Sequence, residues 1–275
     1  MAHMVDCNAT SSAAARHRVT THGPADAART LLLVHGFGTD QSVWDGLLPL
    51  LAPRDRVITY DQAGCGNCDP ALFVQHHYLN LHGFAQDLAA LARALGLRDA
   101  VLVGHSFGAM VGVLATLEVP ECFSRLTLIG ASPRYLDDGD YQGGFKEEDI
   151  RRVYQSALAN YREWADAFAP MAMGQADRPD LAQRFAESLK RIPPERALTI
   201  LCAILQSDHR QALPRLQHPV QLLQTSRDSF VPQPVAEYMA RTLPQATLRM
   251  LDADGHLPHV TAPQQVAAAL HGFLH

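Results

Sequence analysis

A serine hydroxyl becomes a nucleophile only when a neighbouring base takes its proton and a third group holds that base in place. The run Gly104-His105-Ser106-Phe107-Gly108 puts Ser106 at the centre of a G-x-S-x-G. It directly follows the apolar Ala100-Val101-Leu102-Val103 and precedes Met110, Val111, Leu114 and Leu117, which recur at helical spacing. A sharp strand-to-helix turn at this point exposes the serine oxygen and needs small residues where the two backbones crowd. The plainer alternative is a serine that caps a helix after a tight turn.

Where this turn carries a nucleophile, the acid and then the histidine follow it along the chain. Asp228 comes just after the apolar run Pro219–Thr225, and His256 just after the run Ala246–Leu251. Ser106, Asp228 and His256 would then leave the carboxyl ends of different strands, the edge at which α/β sheets bind ligands. His256 is the expected general base and later acid; Asp228 would fix its tautomer and stabilise the imidazolium. Among 14 histidines there are competitors. His259 lacks a preceding glycine turn, and His105 is the variable residue of the serine motif. Asp252 and Asp254 are nearer to His256 in sequence, but they share its strand-loop unit, where a facing geometry is awkward. The oxyanion that forms on attack needs two backbone N–H donors. One is expected from Phe107, after the nucleophile, and the other from His35-Gly36-Phe37-Gly38, at Phe37. A plain glycine-rich turn is the alternative for that loop.

These residues must be positioned by strands and helices in alternation. Strands are expected at Thr30–His35, Arg56–Tyr60, Ala100–Gly104, Arg125–Gly130, Pro219–Thr225 and Ala246–Leu251, several of them almost continuously apolar as central parallel strands should be. Phe84, Leu88, Leu91 and Leu95 mark a helix that Gly96 stops. Val266, Leu270 and Phe273 mark a last one that Pro263 can open. From about Pro133 to Ser207 the alternation breaks into four helices, near Lys146–Asn160, Tyr161–Met171, Pro179–Ile192 and Pro194–Ser207. Ile150, Val153, Tyr154, Ala157 and Leu158 form an apolar stripe, and Pro170, Pro179, Pro193 and Pro194 punctuate the block. The expected fold is α/β, of the α/β-hydrolase type, with a mostly parallel central sheet covered by helices on both faces. Residues 18–133 and 208–275 would form the core and 134–207 a helical lid inserted in it; helices packed as ordinary core are the other possibility.

With 275 residues, 47% apolar and 19% charged, the chain can bury one full domain. A formal net charge of −5 offers no basic face for nucleic acid or an anionic membrane. Met1-Ala2-His3-Met4 has the look of a cloning remnant, and Val5 to His17 lacks the basic-then-apolar order of a secretory signal. No stretch nears the roughly 18–20 apolar residues of a membrane span, so a soluble, cytoplasmic protein is expected. Five scattered cysteines fit a reducing compartment. Cys65 and Cys68 make a lone CxxC, but a structural zinc wants four ligands, and loop filler is the better reading. Neither a metal nor a cofactor is expected.

Longer phrases carry a resemblance. The runs His35-Gly36-Phe37-Gly38-Thr39-Asp40-Gln41, Gly104-His105-Ser106 with Ala109-Met110, and Ile129-Gly130-Ala131-Ser132-Pro133-Arg134-Tyr135 belong to it. So do Asp140-Tyr141 with Gly143-Gly144-Phe145, and Gly255-His256-Leu257-Pro258-His259. From about Leu31 onward the chain resembles the strigolactone and karrikin receptor hydrolases of plants and the bacterial stress-response hydrolase RsbQ. The resemblance implies a four-helix lid over an apolar pocket, slow hydrolysis of a small apolar ester or butenolide-type ligand, and a signalling protein partner. By position, Phe37, His105, Phe107, Tyr135, Phe145, Trp164, Phe168 and Ser229 would line the pocket; for the lid aromatics, simple core packing is the alternative. The loop Tyr60–Asn67 departs from the plant receptors, Ser207-Asp208-His209-Arg210 looks like the bacterial branch, and a bulky Phe107 is expected to shrink the pocket floor. An ordinary carboxylesterase, lactonase or carbon–carbon bond hydrolase is the competing function, and an idle binding module a third. Dehalogenases and epoxide hydrolases place an aspartate where Ser106 stands.

Overall fold

The apolar runs assemble into one sheet. The computed structural model describes residues 7–274, and the Met1–Met4 segment read above lies outside them. The strands are β1 (Thr20–His22), β2 (Thr30–Val34), β3 (Arg56–Thr59), β4 (Ala100–His105), β5 (Phe123–Ile129), β6 (Val220–Arg227) and β7 (Ala246–Asp254). Their order across the sheet is β1-β3-β2-β4-β5-β6-β7. Only β1 runs antiparallel to its neighbour. The helices are α1 (Cys7–Arg16), α2 (Leu48–Leu51), α3 (Leu81–Ala94), α4 (Phe107–Glu118), α5 (Glu147–Ala159), α6 (Tyr161–Met173), α7 (Pro179–Arg191), α8 (Pro194–Leu205), α9 (Gln233–Thr242), α10 (Pro258–Thr261) and α11 (Pro263–Leu274). The six expected strands are present with shifted ends. β1 and α1 were not expected: Thr-Thr-His has no apolar signature, and α1 lies in the small, polar leading segment.

Alternation along each strand sends its side chains to two separate cores. Leu32, Ile58, Leu102, Leu126 and Leu222 face Phe84 and Leu88 of α3, Val111 of α4 and Val235 and Met239 of α9. Leu31, Leu33, Val57, Val101, Val103 and Leu223 face Trp44, Leu47, Leu51 and the Val266 and Leu270 stripe of α11. Helix ends are set locally. The Asn80 side chain accepts from the His82 N–H at 2.9 Å to start α3, and Gly96, at φ 64°, lets the Leu97 N–H return to the Ala92 carbonyl at 3.0 Å to end the helix.

Helices α5 to α8 interrupt the alternation between β5 and β6 and stand over the carboxyl edge of the sheet. Both ends of this block meet at one neck: the His209 N–H donates to the Pro133 carbonyl at 2.8 Å, and Arg134 pairs with Asp208 at 2.8 Å. The α5 stripe is narrower than its spacing implies. Ile150 and Ala157 are buried, whereas Leu158 is 69% exposed. On α7, Leu181, Phe185 and Leu189 are buried, and Lys190 pairs with Asp166 to tie α7 to α6. Cys65 and Cys68 are both buried free thiols in the loop after β3, and burial pushes each thiol up, away from the reactive thiolate.

Helix α4 leaves β4 with no room to spare. A Cβ built on Gly108 would lie 2.3 Å from the His35 carbonyl oxygen, a backbone atom that cannot swing aside. Gly108→Ala is expected to lower stability by roughly 1–3 kcal/mol through overpacking. A urea titration reads this as a lower midpoint with unchanged slope; a wild-type midpoint would show that β2 and α4 can separate without cost.

Candidate active site

β4 ends on His105 and α4 begins on Phe107, leaving Ser106 to make the turn alone. Its backbone sits at φ 55°, ψ −125°, a region that non-glycine residues adopt only where the surroundings hold them. The Ser106 N–H is anchored on the Ile129 carbonyl of β5 at 2.8 Å. The side chain stands at the carboxyl edge of the sheet, 7% exposed.

Three strand ends meet here. His256 Nε2 lies 2.8 Å from Ser106 Oγ, and His256 Nδ1 lies 2.7 Å from Asp228 Oδ2. The other Asp228 oxygen, Oδ1, accepts the N–H groups of Phe230 and Val231 at 2.8 and 3.0 Å. Gln224 Nε2 donates to Oδ2 at 3.3 Å. Burial by itself raises the Asp228 carboxyl, but the charge and hydrogen bond of His256 and the two N–H donors more than offset it. The group is held below the usual carboxylate range. Asp252 is exposed and Asp254 pairs with Arg227, so of the three aspartates Asp228 is the one brought to His256. His259 is fully buried, and burial and then His256 take it down to about 3, which leaves it neutral.

The loop after β2 is knitted from within. His35 Nε2 accepts the Gln62 N–H at 3.0 Å, so Nδ1 carries the proton and donates to the Gly36 carbonyl at 2.9 Å. The Gln62 side chain donates to the His35 carbonyl at 2.6 Å, and Thr39 Oγ1 to the Gly36 carbonyl at 2.8 Å. Among the described residues, no protein acceptor takes the N–H of Phe37 or of Phe107. The bonding role of His35 and Gln62 was not anticipated, because it links two loops distant in sequence. The Phe107 side chain does not reach the pocket. As the first residue of α4 it turns into the α3 seam, edge-on to Phe84 with ring centroids 5.4 Å apart. The expectation that it lines and shrinks the pocket floor is corrected accordingly.

Above Ser106 lies a cavity of about 190 Å³. Phe37, His105, Tyr135, Phe145, Trp164 and Phe168 line it as anticipated by position. Ser229 does not: it is exposed, and its neighbour Phe230 supplies the wall, 5.5 Å from the His256 ring and 4.7 Å from Phe168. Val153, Phe185, Leu201, Ile204 and Leu257 also line the cavity; nothing in their spacing separated them from core. Tyr135 and Phe145 arrive together because the segment between them doubles back, with Phe145 N–H donating to the Tyr135 carbonyl at 3.1 Å. Gly143 makes this possible, since a Cβ there would lie 2.4 Å from that same carbonyl. Burial raises the Tyr135 phenol above its ordinary value, so it stays a neutral hydroxyl beside the Ser106 side chain. Among the described residues, no Asp, Glu, Lys or Arg side chain lines the cavity. Among the described residues, no group of three His, Cys, Asp or Glu side chains converges as a metal site.

The chain belongs to the alpha/beta hydrolase fold family, whose members it matches over residues 29–263. It is 40% identical to a strigolactone esterase, D14, of Arabidopsis thaliana over 88% of this chain and 91% of that protein. It is 37% identical to a karrikin insensitive 2 receptor of Petunia hybrida over 94% and 96% of the two chains. A solved hydrolase from Oleispira antarctica superposes with a TM-score of 0.93 at 30% identity, covering 96% of this chain and 97% of that one.

The hydrogen bonds around Asp228 set up a test. In Asp228→Asn, the Phe230 and Val231 N–H groups keep the amide oxygen on their side and turn the NH2 toward His256 Nδ1 and the Gln224 NH2. His256 must then present a lone pair at Nδ1 and a proton at Nε2, the wrong tautomer to accept from Ser106. A loss of kcat on the order of 10³–10⁴-fold is expected, measured on a short activated ester; a loss under tenfold would move the role to another carboxylate.

Proposed function

We propose that this protein is a serine hydrolase that opens small, uncharged esters or lactones, with Ser106 as nucleophile, His256 as general base and Asp228 as its orienting acid. One observation carries the reading: an Asp228–His256–Ser106 line, closed at 2.7 and 2.8 Å, opens into an apolar cavity. Ser106 Oγ attacks the carbonyl carbon while its proton passes to His256 Nε2. The C=O electron pair moves on to oxygen, where the Phe37 and Phe107 N–H groups receive it. Collapse breaks the ester C–O bond, the leaving oxygen takes the proton from His256, and an acyl-serine remains. Water then attacks that acyl group by the reverse proton path, freeing Ser106. In a lactone the leaving alcohol stays tethered to the acyl group.

The cavity limits the substrate. A cavity of ~150 Å³ holds a single benzene ring, so about 190 Å³ suits a one-ring lactone or a short acyl chain. An ionised substituent would be stripped of water with no opposite charge to meet it, a large penalty. A small butenolide is uncharged and of this size, and is proposed as the ligand class from the resemblance noted above; a signalling partner is proposed on the same footing, from a relative named as a receptor. No described helix is long and apolar enough to cross a membrane; a cytoplasmic setting is proposed from the free cysteines.

Ser106→Ala is expected to reduce hydrolysis of p-nitrophenyl acetate by more than about 1000-fold while a panel of butenolides still raises its melting temperature. Residual turnover near wild type would overturn the nucleophile. Separately, an ester bearing a free carboxylate on a short acyl chain is expected to show kcat/KM at least about 100-fold below its neutral isostere. Equal turnover of the two would mean that the cavity is not where the acyl group binds.

A further inference from the structure

The residue ahead of the nucleophile is a histidine that the chemistry above leaves unused. His105 is buried, and its Nε2 lies 2.8 Å from the main-chain carbonyl oxygen of His256. A carbonyl can only accept, so Nε2 carries the proton and donates. Nδ1 is then a bare lone pair, and no protein group bonds to it among the described residues. The other tautomer would aim a lone pair at the His256 carbonyl and bury an N–H without an acceptor, each a loss the folded chain avoids. The ring is also wedged in place. A Cβ on Gly36 would lie 2.3 Å from Nδ1, the His256 ring is 4.9 Å away, and the His259 ring is 4.4 Å away, itself packed on Trp44 at 4.5 Å. Burial, then the neighbouring His259 and His256, keep His105 neutral by holding it well below the ordinary histidine range.

The main chain of His256 is therefore tied at both polar groups. Its N–H donates to the Ala172 carbonyl in the last turn of α6 at 2.7 Å, and its carbonyl takes the His105 proton. His105 touches the loop of the proposed base on one side and Gly36 of the proposed oxyanion loop on the other.

We propose that His105 is a positioning residue for the general base, acting as an Nε2–H donor that fixes the His256 main chain so that its ring lines up with Ser106 Oγ. The inference rests on reading His256 as the base, and its test separates the two. His105→Leu keeps bulk and removes the donor; His105→Gln restores an N–H near the position of Nε2. Expected are a fall in kcat of about 10- to 100-fold for His105→Leu with KM little changed, recovery of most of it in His105→Gln, and a neutral Nε2–H tautomer for His105 in imidazole 15N–1H correlation spectra of the unaltered protein. A His105→Leu kcat within twofold of wild type, no rescue by glutamine, or an Nδ1–H or doubly protonated His105 would overturn it. If His105→Leu does not fold, the tautomer decides alone. If Ser106→Ala retains full turnover, the hydrolase reading falls and takes the positioning role with it, while the tautomer still tests the His105 bond to the His256 carbonyl on its own.

Discussion

The site depends on three strand ends delivering side-chain atoms to hydrogen-bond distance of one imidazole. Ser106, at the end of β4, and Asp228, after β6, approach opposite nitrogens of His256, which follows β7. Hydrogen bonds weaken steeply with distance and angle, so small shifts of a strand end would break this line. Parallel register across β4, β5, β6 and β7 supplies the needed stiffness. The two apolar cores on either face of the sheet hold that register against thermal motion.

Backbone contacts finish what the sheet begins. Ser106 keeps its left-handed conformation because its N–H is anchored on β5 and because Gly108 lets α4 sit on the His35 carbonyl. The loop of His256 is pinned by its N–H on Ala172, and by Thr225 Oγ1 donating to the Gly255 carbonyl at 2.7 Å. The helical block between β5 and β6 thus does more than roof the cavity. Its α6 end bonds directly to the loop of the proposed base, and its aromatic rings line the cavity beside that base. An apolar surround strengthens each electrostatic contact inside it, which favours the Asp228 carboxylate's hold on His256.

Much of this was legible beforehand, and for local reasons. A glycine-flanked serine between an apolar run and a helical stripe specifies its own turn, because sterics within five residues decide it. The four helices of the inserted block were bounded by prolines and by a 3.6-residue rhythm, and their ends moved by only a few residues. The order Ser106, Asp228, His256 followed from strand ends. Neither β1 nor α1 carries an apolar period, so the sequence holds no local mark of either. The buried stripe of α5 is narrower than its apolar spacing implies, since exposed Leu158 and buried Ile150 look alike to a count of apolar residues.

What the sequence by itself determined is the set of chemical groups and the turns that present them, for these are governed by neighbours along the chain. Only the tertiary structure decided which side of each turn faces the cavity. One residue of offset separates exposed Ser229 from cavity-lining Phe230, and the first turn of α4 carries Phe107 into the core instead of on to the substrate. The pairing of His105 with the His256 carbonyl across 151 residues likewise depends on how distant strands stack. Packing of that kind is a property of the assembled sheet, and no local spacing encodes it.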